Sequence, residues 1–487
     1  MQKIINNTRS LVMIAAFTVL LPAMGCNKYL NDPLPTDEIT QANAFISDNS
    51  VSSVVTGNFL ALISNGIFEG SGSSYLGYTS GLYTDELQYI NTTAGTTPQL
   101  FYLDALQTGS VNYWSTMYTQ IYGVNAALTG IQGATTTLFY ENQWLGESYF
   151  TRGLLYFYLT NLYGAAPLAL STDYTINNVL SRAPQSQVYQ QIVSDLQQAR
   201  SLLNYTYTNA YGAPTTDRVR PDRYSATALL AKVYLYSQKW DSAETMADSV
   251  IANAGAYSLQ PVTSAFNANG PETIWALEPT VGNETPDYQL YYNGMPAPIP
   301  SGKTMNSFLV FACMDTALVN TFEPGDTRFT NWVRADSIAG TSPTATYWFP
   351  NKYNTSSLTA QNQIIMRMGE LYLIRAEARV EQGNIAGAQS DLNAVRARAG
   401  LPATTASDEA SLLTAIIHER RVELFTEEGN RFLDLKRWGA IDSVMTAFAP
   451  TKGSGTTWSD YKQLLPLPAN DLLQDPNLTQ NTGYLAQ

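Results

Sequence analysis

Two stretches of this chain, 145 residues apart, carry the same spacing of small and apolar residues. In AKVYLYSQKWDSAETMADSVIANAG the marked positions are Ala231, Trp240, Ala243 and Val250. In AEARVEQGNIAGAQSDLNAVRARAG they are Ala376, Ile385, Ala388 and Val395. Each unit is a helix, a short turn (Gln238-Lys239 or Gly383-Asn384) and a second helix, with small side chains where the two helices approach. This is the logic of tetratricopeptide repeats, whose helix pairs bury a core only by stacking on neighbours. The units are not tandem, so the residues between them must loop out.

Apolar residues three and four apart predict further helices over 112–131, 141–163, 185–204, 222–253, 365–399 and 409–438. Within 147–163, Phe150, Leu154, Tyr158 and Leu162 fall at four-residue steps and form one face. Two regions lack this period. Residues 64–110 and 255–360 are rich in Gly, Pro, Asn, Thr and Tyr, and stretches such as ETIWALEP and YWFPNKYN suit short strands or extended loops. The expectation is a mostly α fold, with tetratricopeptide-like helix pairs, long irregular segments and a few short strands in a single domain over 41–487. Long irregular segments on a rigid scaffold are where binding residues concentrate.

The first forty residues are of another kind. Lys3 and Arg9 precede an eleven-residue apolar run, Leu11 to Leu21. That is short of the ~20 residues a helix needs to cross a bilayer, and fits the apolar core of a secretory signal. Pro22, Ala23, Met24 and Gly25 then lead to Cys26. Small residues before a cysteine form a lipobox, although Ala23 stands where Leu is usual. The expectation is a signal peptide over 1–25, acylation of Cys26 with palmitate-type chains, and a polar tether over 26–40. Two or more acyl chains give stable anchoring where one is marginal.

The net charge of −13 and pI of about 4.6 argue against nucleic acid as a partner, since such surfaces select for clustered Lys and Arg. His418 is the only histidine, and Cys313 is the only cysteine besides Cys26. Zinc or copper sites built from His and Cys are thereby excluded, and neither metal nor cofactor is expected. A Ser–His–acid triad would have to use His418, which sits in a helical block and is read as structural. The acids Glu377, Glu419, Glu423, Glu427 and Asp434 interleave with Arg375, Arg420, Arg421, Arg431 and Arg437 at helical spacing, as scaffold ion pairs do. Paired carboxylates for glycoside hydrolysis need a set separation that sequence does not display.

Aromatic residues are the stronger lead. The chain has 31 Tyr and 8 Trp but only 14% charged residues, so rings are available for the surface. Trp114, Tyr156, Tyr158, Trp240 and Trp438 lie in helical blocks and are assigned to the core. In the irregular regions the candidates for ligand contact are Tyr89, Asn91 and Asp85, then Tyr291, Tyr292 and Asn293, then Trp332 and Trp348. Tyr75, Tyr78, Tyr83, Gln88, Tyr288 and Tyr347 stand near them. An exposed ring covers the C–H face of a pyranose while amides and carboxylates satisfy its hydroxyl edge. Each contact burying about 50 Å² is worth roughly 1 kcal/mol. Two or three such platforms plus hydrogen bonds give affinities on the order of micromolar to millimolar.

Several long blocks resemble hallmarks of the SusD/RagB family: RGLLYFYLTNLYGAAPL (152–168), RMGELYLIRAEARVEQGNIAGAQSDLNAVRARAGLP (367–402) and IIHERRVELFTEEGNRFLDLKRWG (416–439). YWSTMYTQIYGVNAAL (113–128) is similar to the family's early helix, and LLPLPANDLLQDPNLTQNTGY (464–484) to its ending. The resemblance implies a helical, non-catalytic lipoprotein on the outer face of an outer membrane. It would cap a SusC-like TonB-dependent transporter and deliver a glycan, or in some members a peptide. Asn27-Lys28 follow Cys26 where such surface lipoproteins often carry acids. The alternatives are a peptide-binding member, a surface glycoside hydrolase and a ligand-free tetratricopeptide adaptor.

Overall fold

The computed structural model describes residues 43–485, apart from 69–74, 92–93, 281–283, 340–345 and 358–359. Cys26, the signal segment and the tether expected over 26–40 lie outside the described residues. The principal helices are α1 (Asp48–Ser64), α2 (Leu76–Tyr83), α3 (Thr97–Tyr102), α4 (Tyr113–Gln132), α5 (Glu141–Tyr163), α6 (Gln185–Leu202), α7 (Arg223–Tyr236) and α8 (Trp240–Ile251). After a long stretch with only short helical turns come α9 (Met368–Glu381), α10 (Ile385–Arg398), α11 (Glu409–Glu423), α12 (Asn430–Arg437), α13 (Ile441–Lys452) and α14 (Ala469–Gln474).

Helices α4 to α10 pack in succession, each on the next, and α11 closes on α9 and α10. The two similar units are α7–α8 and α9–α10, and they stack directly through α8 and α9. Ala231, Ala243 and Val250 in one unit and Ala376, Ala388 and Val395 in the other are all fully buried. Arg375 reaches Asp248 across the seam at 2.6 Å, and Arg379 reaches Glu244 at 2.7 Å. The 145-residue separation is therefore absorbed by residues 252–367, which leave the stack. The turn residues match as well: Gln238 and Gly383 both adopt left-handed backbone, with φ of 55° and 74°.

Helix α5 departs from expectation. It is buried on every side, not along one stripe: from Gln143 to Tyr163 only Tyr149 is partly exposed. A helix buried all round belongs in the middle of a large core, and its charged residues are paired there, Glu147 with Arg220 and Arg152 with Asp195. Gly153 sets how closely α6 approaches, because a Cβ there would lie 2.9 Å from Leu196. The helix expected over 409–438 is broken between α11 and α12, where Thr426, Glu428 and Gly429 take positive φ. Helices α7 and α11 start at capping boxes, Asp222 with Ser225 and Asp408 with Ser411, which satisfy the first free N–H groups.

The strands form three two-stranded antiparallel sheets. β1 (Leu87–Tyr89) pairs with β3 (Ala312–Met314), β2 (Thr273–Leu277) with β6 (Gln363–Arg367), and β4 (Val333–Ser337) with β5 (Thr346–Pro350). β2 and β5 fall in the two stretches whose composition suited strands. The β2–β6 ladder is wholly buried and ties the irregular region to the start of α9. The expected class, mostly α with few short strands, is the observed one.

Candidate functional site

The two irregular regions meet. β1 belongs to the first and β3 to the second, and their pairing sets Tyr89 opposite Ala312. β3 packs on β5, and a single π-helical turn, Tyr288–Tyr292, packs on both. Residues from three loops thus reach one surface.

At its centre the Tyr292 ring is held between two flat groups. Tyr288 stacks on it at 4.8 Å between centroids and 30° between planes. The Arg334 guanidinium lies 4.4 Å from the ring centroid, a cation–π contact. Arg334 is itself tethered to Asp336 at 2.9 Å, two residues along β4 and so on the same face. Asn293 follows with left-handed backbone, is exposed, and donates its side-chain N–H to the Phe308 carbonyl at 2.7 Å. Asn306 donates to Asn91 Oδ1 at 3.4 Å. Leu309, next to Phe308, combines φ of 60° with 64% exposure. A non-glycine residue held left-handed costs of order 1–3 kcal/mol and marks segments fixed for a purpose other than stability.

Asn91, Tyr292 and Asn293 are therefore gathered around residues 305–309. The other expected contacts lie elsewhere. Tyr89 is buried beneath this surface, its hydroxyl 2.8 Å from Thr96 Oγ1. Tyr291 is 1% exposed, its ring 6.0 Å from that of Tyr78. Asp85 is buried in ion pairs with Arg421 at 2.7 Å and Arg431 at 2.8 Å, which hold its carboxyl below the usual range despite the opposing effect of burial. Trp332 is 2% exposed and donates Nε1–H to the Val262 carbonyl at 2.7 Å. Its edge lines an amide-rich recess of about 250 Å³ with Asn267, Asn331, Asn351, Asn354 and Gln361. Asp85, Tyr291 and Trp332 were expected to face a ligand; here they form the frame, because loop segments this long build a core of their own. Trp348 is half-buried opposite Ala335, so it projects from the other face of the β4–β5 hairpin than Arg334 and Phe349.

Arg334, Asn306 and Phe308 stand at this surface without having been among the residues expected there. Arg334 stands two residues past Trp332 in a run with β-period, which was its one available signal. The aromatic surface is open, whereas larger cavities lie elsewhere. One of about 490 Å³ is bounded by α4, residues 167–178 and the carboxyl-terminal segment; a second, of about 440 Å³, adjoins it at Tyr122 and Thr172.

Among the described residues, no group of three or more His, Cys, Asp and Glu is placed to hold a metal. His418 faces Glu323 at 3.5 Å on α11. Cys313 is buried, and burial pushes its thiol up to about 12, so it is a poor nucleophile. The interleaved acids and arginines of α9, α11 and α12 form buried ion pairs, among them Arg420–Asp434 at 2.7 Å and Arg437–Glu377. No described helix is long and apolar enough to cross a membrane.

Known proteins place the architecture. A SusD-superfamily protein of Bacteroides vulgatus superposes with a TM-score of 0.73 at 20% identity, covering 90% of this chain and 99% of that one. A laminarin-binding SusD-like protein superposes at 0.69 with 25% identity, covering 89% and 99%. A SusD-like protein of Formosa agariphila is 25% identical over 424 residues, 76% of this chain and 79% of its own length. The SusD family model matches residues 104–484, which take in the helical stack and the second irregular region but only the last seven residues of the first, and the chain belongs to that family.

Proposed function

We propose that this protein captures a glycan on the surface built from residues 288–293, 305–309 and 333–337, and passes it to a SusC-like TonB-dependent transporter without breaking a bond. The observation that carries the reading is the Tyr288–Tyr292–Arg334 stack beside Asn293, Asn306 and Asn91. The stack offers the edge of Tyr292 and the outer side of the Arg334 guanidinium to the C–H surface of a sugar, while amides pair with hydroxyls. The similarity to a laminarin-binding protein supports this ligand class. A shallow site of few contacts gives modest affinity and quick release, as transfer requires.

The position of Cys26 after an apolar run supports a lipid anchor on the outer membrane, with the binding face outward. Cys26→Ser should move the protein from the membrane fraction to the soluble one.

The decisive measurement is a glycan and peptide array followed by calorimetry. Tyr292→Ala and Arg334→Ala should each weaken the glycan hit by about tenfold, near 1.4 kcal/mol. Peptide hits alone, or new reducing ends on incubation with polysaccharide, would reject the proposal.

A further inference from the structure

The aromatic surface lies on the loop side, yet the cavity of about 490 Å³ lies against α4. Trp114, Tyr118 and Tyr122 sit at four-residue steps on one face of that helix and pass from buried to exposed. Trp114 is packed under Arg182 and Tyr118, and Tyr118 donates its hydroxyl to the Pro167 carbonyl at 2.8 Å. Tyr122 is 55% exposed, and Tyr174, on the opposite wall, is 71% exposed. Neither ring is needed to close the core.

The remaining wall is polar. Asn177 donates to the Ser171 carbonyl at 2.8 Å, while its own Oδ1 is buried with no hydrogen-bond partner. A buried acceptor left unpaired costs about 1–3 kcal/mol, so a small rotation of the Asn177 amide toward the cavity it lines would let a ligand donor satisfy it. Asn178, Gln474, Asp471 and Asp475 complete the lining. Asp471 accepts from Ser115 at 2.6 Å through one oxygen. Asp471 and Asp475 stand four residues apart on the same segment, so they do not flank a bond from two sides. The lining includes two carboxylates and no Lys or Arg. At Tyr122 and Thr172 the cavity continues into the neighbouring one of about 440 Å³, along α4. Its size is within the roughly 300–1,000 Å³ usual for small-molecule sites.

We infer that this cavity is a second carbohydrate site, for a neutral oligosaccharide. Tyr122 and Tyr174 serve as ring platforms. Asn177, Asn178 and Gln474 accept from and donate to hydroxyls, and the two aspartates accept from them. The carboxylates turn away uronates and sulfated sugars. The continuation along α4 admits an extended chain. The inference rests on the glycan reading above but uses a different face of the protein.

Calorimetry and crystal soaks with laminarihexaose and maltohexaose, against alginate-derived acidic hexasaccharides, test it on the full mature chain. The wild type should bind a neutral probe at two sites. Tyr122→Ala/Tyr174→Ala should lose one, by about tenfold or more in affinity, and Tyr292→Ala/Arg334→Ala the other. Both tyrosines are exposed, so their removal leaves folding intact, and Asn177→Ala is a second variant expected to weaken the same site. An empty α4 cavity beside a sugar on the loop face overturns this inference alone; no sugar at either face overturns both readings. Equal binding of acidic probes overturns it too. So does unchanged sugar binding in the Tyr122/Tyr174 variant with weakened hold on the transporter, which would make the surface a protein contact.

Discussion

Where the irregular segment packs against α11 and the turn after it, Arg367 reaches Glu423, Glu427 and Glu272, while Arg328 meets Glu419, Glu423 and Asp326, all buried. Burial alone would raise the carboxyls of Glu423 and Glu427, but the surrounding cations outweigh it and hold both low. Beneath the loop face the arrangement is reversed. Asp287 immediately precedes the π turn, and burial pushes its carboxyl up to about 7. Burial likewise pushes Glu428 up to about 8. Glu428 Oε1 receives Gln363 Nε2–H at 3.0 Å and the Tyr75 hydroxyl at 3.1 Å. At Glu423 and Glu427 the neighbouring cations outweigh desolvation; at Asp287 and Glu428 desolvation wins. The two pairs of acids therefore make stability respond to pH in opposite directions.

The largest effect should come from breaking the paired region. Arg367→Met leaves Glu423 and Glu427 short of a partner inside the core and should destabilise by about 3–5 kcal/mol. Unfolding entropy of about 2 cal/mol/K per residue makes a chain of this size move only about 1 °C per kcal/mol, so denaturant titration is the sharper measurement. Arg334→Ala strips the buried Asp336 carboxyl of one partner and should cost about 1–3 kcal/mol, less than Arg367→Met, whose guanidinium serves three carboxylates, while weakening the glycan. Equal losses in the two variants would erase the distinction between body and face.

Next in size is the pH dependence. A carboxyl whose folded pKa is raised adds stability that is fully present below its unfolded value and is lost as pH rises through the folded one. For Glu428 that window runs from 4.5 to about 8. Glu423 and Glu427 act oppositely: their contribution is present above the unfolded value of 4.5 and lost as pH falls through the lowered folded values. Urea midpoints should therefore decline on both sides. Glu428→Gln should flatten the decline toward pH 8 and leave the acid side unchanged. An unaltered alkaline slope in that variant would mean Glu428 is ionised in the fold.

The same contrast explains what could be read beforehand. Helices α4, α5, α6 and the two stacked units were legible because burial imposes a period on side chains, as at Ala231, Ala243 and Val250. The loop regions were recognised by composition, and Tyr292, Asn293 and Asn91 do gather on one surface. Which aromatics turn inward was not legible. Tyr291 and Tyr292 are neighbours of identical chemistry, and only the π turn decides that the first is buried and the second faces out. Arg334 and the Tyr122–Tyr174 cavity join residues from segments whose approach depends on the tertiary fold, so no local pattern announces them.

The smallest expected effect compares the two stacked units with each other. Gln238 and Gly383 occupy the same left-handed turn position. A side chain at such a φ costs about 1–2 kcal/mol, which glycine avoids while giving back about 0.5–1 kcal/mol of unfolded-chain entropy. Gly383→Ala should therefore destabilise by about 1 kcal/mol, and Gln238→Gly should stabilise by up to about 1 kcal/mol. A Cβ at Gly383 meets nothing within 4 Å, so the loss there is one of backbone conformation and not of packing. Denaturant midpoints moving in opposite directions would show that the two units share one turn geometry. Midpoints moving in the same direction would mean that the Gln238 side chain stabilises its turn by more than its backbone conformation costs.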